Sequence, residues 1–78
     1  MTKLARINIS LGRLIKQRRN ELHISQEKLA ESSGLHRTYI GQLEHGKKSP
    51  TIRTLFLIAK TLGIKLSELI QQLEDSDV

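Results

Sequence analysis

The stretch QEKLAESSGLHRTYIGQLEHG, Gln26 to Gly46, holds two short helical patterns separated by a glycine. Ser25, just before it, reads as an N-cap, and Glu27 falls in the first turn, where the helix dipole favours a carboxylate. Leu29 and Ala30 are the apolar positions of this short helix. Ala30 lies where a neighbouring helix has to come close. Gly34 fits the position after the helix that wants a left-handed residue. Leu35 follows and is expected to be buried. A second helix runs from about Arg37 to His45, with Ile40 and Leu43 inward and three apart, and Gly46 ends it. The pair reads as a helix–turn–helix over about residues 26–45.

Working outward, Lys47-Lys48-Ser49-Pro50 is a turn, because Pro50 cannot sit inside a helix. Thr51 caps a further helix through Leu62, with Leu55, Ile58, Ala59 and Leu62 inward and Gly63 at its end. Another spans about Leu66 to Glu74 and carries Leu66, Leu69, Ile70 and Leu73. On the N-terminal side, Ser10 to Leu22 is helix-like, with Leu11, Leu14, Ile15, Arg18 and Leu22 three and four apart. Asn8 or Ser10 is expected to cap it, and His23-Ile24 breaks the pattern. The expectation is five short helices, an all-α fold, and no strand. No internal repeat, low-complexity segment or linker is visible.

Composition agrees with that. A chain of 78 residues reads as one domain, residues 1–78, and a domain of this size buries roughly 60% of its unfolded surface. With 37% hydrophobic residues but one Phe, one Tyr and no Trp, its core has to be built from Leu, Ile and Ala, which favours packed helices. Cysteine is absent, so there is no disulfide framework or thiolate site. That fits a reducing cytoplasm. No apolar run approaches the ~20 residues that span a bilayer, and the N-terminus lacks the pattern of a signal peptide. A soluble cytoplasmic protein, away from membranes, is expected. The formal charge of +5 is uneven: Lys3, Arg6, Arg13, Lys16, Arg18 and Arg19 precede the acidic tail EDSDV. A basic front points to a polyanion, although a merely soluble basic domain has the same balance.

Several chemistries are excluded. In GQLEHGKK, Gly41 to Lys48, the spacing of Gly41, Gly46 and Lys47 approaches a phosphate-binding loop. Such a loop needs Ser or Thr after the Lys, a strand before it and a helix after it. Position 48 is Lys, the residues before Gly46 are helical, and Pro50 breaks the segment beyond. His23, His36 and His45 include no pair at i, i+4 and have no Cys beside them, so neither a metal nor another cofactor is expected. No nucleophile–base set appears, and an enzyme is not expected.

There remains the polar face of the second helix of the motif. Arg37, Thr38, Tyr39, Gly41 and Gln42 face outward or sideways, with Gly41 keeping the helix slim. A helix of this kind enters the major groove of DNA, where Arg bonds guanine bidentately and Gln bonds adenine. The alternative is an ordinary helical hairpin with a solvated polar face.

These residues resemble the Xre/Cro-like helix–turn–helix DNA-binding family. The similarity runs from about Leu11 to Leu73, through LIKQRRNELHISQEKLA, GLHRTYI, LEHGKKSPTIRTL and IAKTLGIKLSEL. The joint spacing of these pieces is far more specific than any one of them. Within the family, GLHRTYI on so short a chain is similar to the controller proteins of restriction–modification systems. The resemblance implies a compact five-helix, lambda-repressor-like domain that regulates transcription as a homodimer on a palindromic operator in double-stranded DNA. RNA polymerase would be a further partner if the protein activates. A small phage-type Cro-like repressor, or an antitoxin whose C-terminal face binds a partner protein, is the alternative.

The resemblance also implies roles by position. Gln26 would contact a DNA phosphate and brace a side chain of the recognition helix. His36, Arg37, Thr38 and Gln42 would supply base and backbone contacts, with Arg37 the leading base reader. Tyr39 would support a phosphate or pack beside the turn, with a core-only role as the alternative. Lys47 and Lys48 would track phosphates. Arg19 and Glu44 match a structural ion pair seen in some relatives; otherwise they are separate surface charges. Dimerisation would fall to the last two helices, about residues 52–74, through Phe56, Leu57, Ile64, Leu66 and Ile70. The alternative is that these residues finish the monomer core.

Overall fold

The structure, a computed structural model, describes residues 2–76. The last two residues of the acidic tail, Asp77 and Val78, lie outside that range. Five helices succeed one another: α1 (Lys3–Glu21), α2 (Gln26–Ser33), α3 (Arg37–Glu44), α4 (Ile52–Thr61) and α5 (Leu66–Asp75), with no strand among the described residues.

The local signals sit where the sequence puts them. The Ser25 hydroxyl accepts from the Lys28 amide at 3.0 Å, and the Thr51 hydroxyl accepts from the Thr54 amide at 3.2 Å. Each satisfies one of the donors that a helix start leaves open. Gly34 has φ 73° and turns α2 toward α3, and its amide bonds back to Glu31 at 3.3 Å. His23 takes the same left-handed region, with φ 56°, and ends the turn after α1.

α1 differs from expectation. It starts at Lys3 rather than near Ser10, and Thr2 rather than Asn8 or Ser10 caps it, accepting from Ala5 at 3.1 Å. Leu4 and Ile7 continue the spacing of Leu11 and Leu14, so the longer helix keeps one periodicity throughout. Leu22 is a second correction: it lies just beyond the helix, 38% exposed, instead of joining the inward stripe. Leu35 is half-buried and packs against the core rather than within it.

The core is aliphatic, as the lack of aromatics requires. Leu11, Ile15, Leu29, Ala30, Ile40, Leu43, Leu55, Ile58, Leu62 and Leu69 form one buried cluster drawn from all five helices. α3 packs on both α1 and α2, α2 on α4, and α5 on α1 and α4. The consequence for α3 is specific. Ile40 and Leu43 are fixed in the core at 0% and 2% exposure, so the opposite side of this short helix has to face out.

Candidate nucleic-acid interface

α3 has eight residues, so it is about 12 Å long. Its diameter with side chains, about 10–12 Å, matches the ~12 Å width of a B-DNA major groove. At its N-terminal end, His36, Arg37 and Thr38 are exposed, and Gln42 is half-exposed one turn further on. His36 is the N-cap and makes no side-chain capping bond. Tyr39 is half-buried and packs against the core. Lys47 and Lys48 are exposed just past α3.

Below this surface lies a polar network that sets the position of α3. Arg19 donates from Nε to Glu44 Oε2 at 2.6 Å and from Nη2 to Glu44 Oε1 at 3.0 Å. Its Nη1 donates to the Ile24 carbonyl at 2.9 Å, so one guanidinium ties α1, the turn before α2, and the end of α3. Gln26 Nε2 adds a third bond to the carboxylate, reaching Glu44 Oε1 at 3.0 Å. Gln26 therefore braces α3 through Glu44 at its C-terminal end. Gly41 faces this amide: a Cβ there would lie 3.9 Å from both amide atoms of Gln26, an ordinary contact. Gly41 thus faces the start of α2.

Electrostatics depend on burial and these bonds. Burial pushes the Glu44 carboxyl up, but hydrogen bonds from Arg19 and Gln26, and the charges of Arg19 and Lys16, outweigh it. The net effect holds Glu44 below its ordinary value. Arg19 is held above its ordinary value, chiefly by its hydrogen bond to Glu44 against the opposing effect of burial. Both groups stay charged, with every buried side-chain polar atom among the described residues hydrogen-bonded.

Two features are not marked in the sequence pattern. Asn8 and Ser49 bond reciprocally, Asn8 Nδ2 to Ser49 Oγ at 2.8 Å and Ser49 Oγ to Asn8 Oδ1 at 3.0 Å. Close by, Gly46, with φ 73°, sits against α1: a Cβ there would come within 2.8 Å of Ile9 Cα. The early start of α1 thus braces the loop that carries Lys47 and Lys48. The one signal for it is the continued apolar spacing at Leu4 and Ile7. The second feature is Glu27. Its Oε1 accepts from Arg37 Nε at 3.2 Å, joining the first turns of α2 and α3. The sequence marks Glu27 only as a dipole-compatible residue.

The residues offered for self-association divide. Phe56, Ile64, Leu66 and Ile70 line one open apolar groove between α4 and α5, with Phe56 60% exposed. Leu57 lies apart from that groove, beside Ser32, Ser33 and Thr61. The reason is helical geometry, since adjacent residues point about 100° apart.

A short helix anchored by one face, with its N-terminal end open and basic residues beyond it, is the architecture of a helix–turn–helix DNA-binding domain. The helix-turn-helix family model (HTH_3) matches residues 15–69, and the chain belongs to that family. Within it, the chain is 43% identical over 60 residues to control protein C.SmaI of Serratia marcescens, covering 77% of this chain and 71% of that one. It is 39% identical over 59 residues to the ImmF control region 10 kDa protein of Bacillus phage phi105, covering 76% and 66%. Among solved structures, the restriction-modification controller protein C.AhdI from Aeromonas hydrophila matches with TM-score 0.76 and 33% identity, over 78% of this chain and 92% of that one. The function is DNA-binding regulation of transcription, and controller proteins are among the relatives.

Proposed function

We propose that the chain is a controller-type regulator of a restriction–modification system that binds a palindromic operator as a homodimer. The observation that carries this reading is the exposure of Arg37 and Thr38 on a helix whose inner residues, Ile40 and Leu43, are fully anchored. Arg37 reads a guanine in the major groove, with Thr38 and Gln42 at neighbouring base edges. Gln26 and His36 meet phosphates at the N-terminal ends of α2 and α3, where the helix dipoles favour anions. Lys47 and Lys48 hold the backbone beyond, and Tyr39 supports the turn. Two copies meet through Phe56, Ile64, Leu66 and Ile70, setting their recognition helices about 34 Å apart.

Titration of palindromic and scrambled duplexes at two salt concentrations tests the DNA reading. Sequence preference with a steep salt dependence is expected; equal affinity for both duplexes would sink it. Arg37→Ala is expected to cost about 1–3 kcal/mol and to relax specificity at one base position. Sedimentation of Phe56→Ala tests the dimer, which is expected to weaken while the monomer stays folded. A small phage-type repressor is the second reading, favoured by the similarity to the immunity repressor protein of Bacillus phage phi105. Methyltransferase and endonuclease genes beside this one would decide for the controller role.

A further inference from the structure

Glu27 presents a problem of sign. It lies on the same edge as Arg37, at the starts of α2 and α3, and that edge has to approach a polyanion in the proposed complex. A carboxylate there opposes phosphate binding. Its pairing with Arg37 contributes little to folding, because the two side chains are 73% and 60% exposed. The geometry of the bond supplies a different use. Arg37 donates through Nε alone, and its two terminal nitrogens make no hydrogen bond among the described residues. Those terminal nitrogens are what a guanine edge needs for its N7 and O6 acceptors. A guanidinium held at Nε keeps its outer donors free and fixes the plane in which they lie. A flexible arginine would otherwise lose its rotamer freedom on binding.

We infer that Glu27 is a specificity-determining positioning residue, which orients Arg37 across the α2–α3 edge so that its terminal nitrogens read a guanine end-on. This rests on the DNA-binding reading above. Glu27 touches no base itself; it acts through Arg37, and it trades some general affinity for discrimination.

The test measures discrimination, the ratio of affinities for the preferred duplex and for duplexes changed at one base pair, in wild type, Glu27→Ala and Glu27→Gln. Both substitutions remove the same charge, but only Gln keeps an acceptor for Arg37 Nε. Glu27→Ala is expected to reduce discrimination about three- to tenfold at the base pair read by Arg37, the scale of ordering one long side chain. Its affinity for unrelated DNA is expected to stay equal or rise. Glu27→Gln is expected to fall between wild type and Ala. On an Arg37→Ala background, Glu27→Ala is expected to change discrimination no further. Unchanged discrimination in Glu27→Ala, a uniform loss over all duplexes, or identical behaviour of the Ala and Gln variants would each overturn the inference while leaving the DNA-binding reading intact. A wild-type protein without sequence preference would remove both.

Discussion

Arg19 and Glu44 meet beneath the C-terminal end of α3, with side chains 11% and 1% exposed, whereas Arg37 and Glu27 meet across its first turn at 60% and 73%. The residue types are identical and both pairs touch the same short helix. Their surroundings separate their roles. In the first, the charges are out of water and every buried donor has a partner, so the pair determines where α3 sits. In the second, both groups stay in water, so the pair adds little to folding and leaves the outer nitrogens of Arg37 open to another acceptor. The anchored end of the recognition helix is built for rigidity, and its open end keeps an arginine within reach of a ligand.

Breaking the buried pair has the largest expected effect. Glu44→Ala leaves the Arg19 guanidinium buried without its partner and is expected to cost about 3–5 kcal/mol, measured by urea unfolding. That is a large part of the ~5–15 kcal/mol that a small domain has in total. An Arg19→Met, Glu44→Leu double variant is expected to recover most of the loss, since it removes both charges together.

Pushing the two helices apart comes next. Gly12 lets α1 close on the end of α3, and a Cβ there would overlap the Leu43 carbonyl oxygen and come within 2.8 Å of the Glu44 carbonyl oxygen. Gly12→Ala is expected to destabilise by about 1–3 kcal/mol, because backbone rather than a side-chain tip has to give way. Thermal unfolding checks this. An unchanged midpoint would mean that the helices can separate without loss.

Acid titration tests the buried pair. Glu44 is depressed in the folded state, so its contribution is fully present above its unfolded value and is lost as pH falls through its lower folded value. Unfolding followed from pH 7 downward is expected to show this loss on the acid side. In Glu44→Gln that part of the pH dependence is expected to vanish. The smallest expected effect is on the exposed pair: Glu27→Ala is expected to change stability by less than about 1 kcal/mol. A loss comparable to that of Glu44→Ala would erase the distinction between the two pairs.

The anchored and open ends of α3 also differ in how legible they are in the residue order. Ser25, Gly34, Gly46 and Thr51 mark helix ends because capping chemistry is local, and each occupies its expected place. Ile40 and Leu43 are legible as the inner face of α3, which by elimination exposes Arg37 and Thr38. The start of α1 is harder to read although Leu4 and Ile7 extend its spacing, since Leu4 remains 64% exposed and no strong breaker stands before it. Leu57 resembles Phe56 in hydropathy, and hydropathy does not say which side of a helix a residue occupies.

By itself, then, the sequence determined the helices, their order, the turn at Gly34 and the inward stripe of α3, because periodicity and caps act within a few residues. Tertiary structure decided which polar groups meet. Asn8 and Ser49 are 41 positions apart and Arg19 and Glu44 are 25 apart, and no local rule brings either pair together. It also decided that Gln26 bonds Glu44 and that Glu27 holds Arg37 at Nε. Each of these depends on how three helices pack around one aliphatic core, and packing is a property of the whole chain.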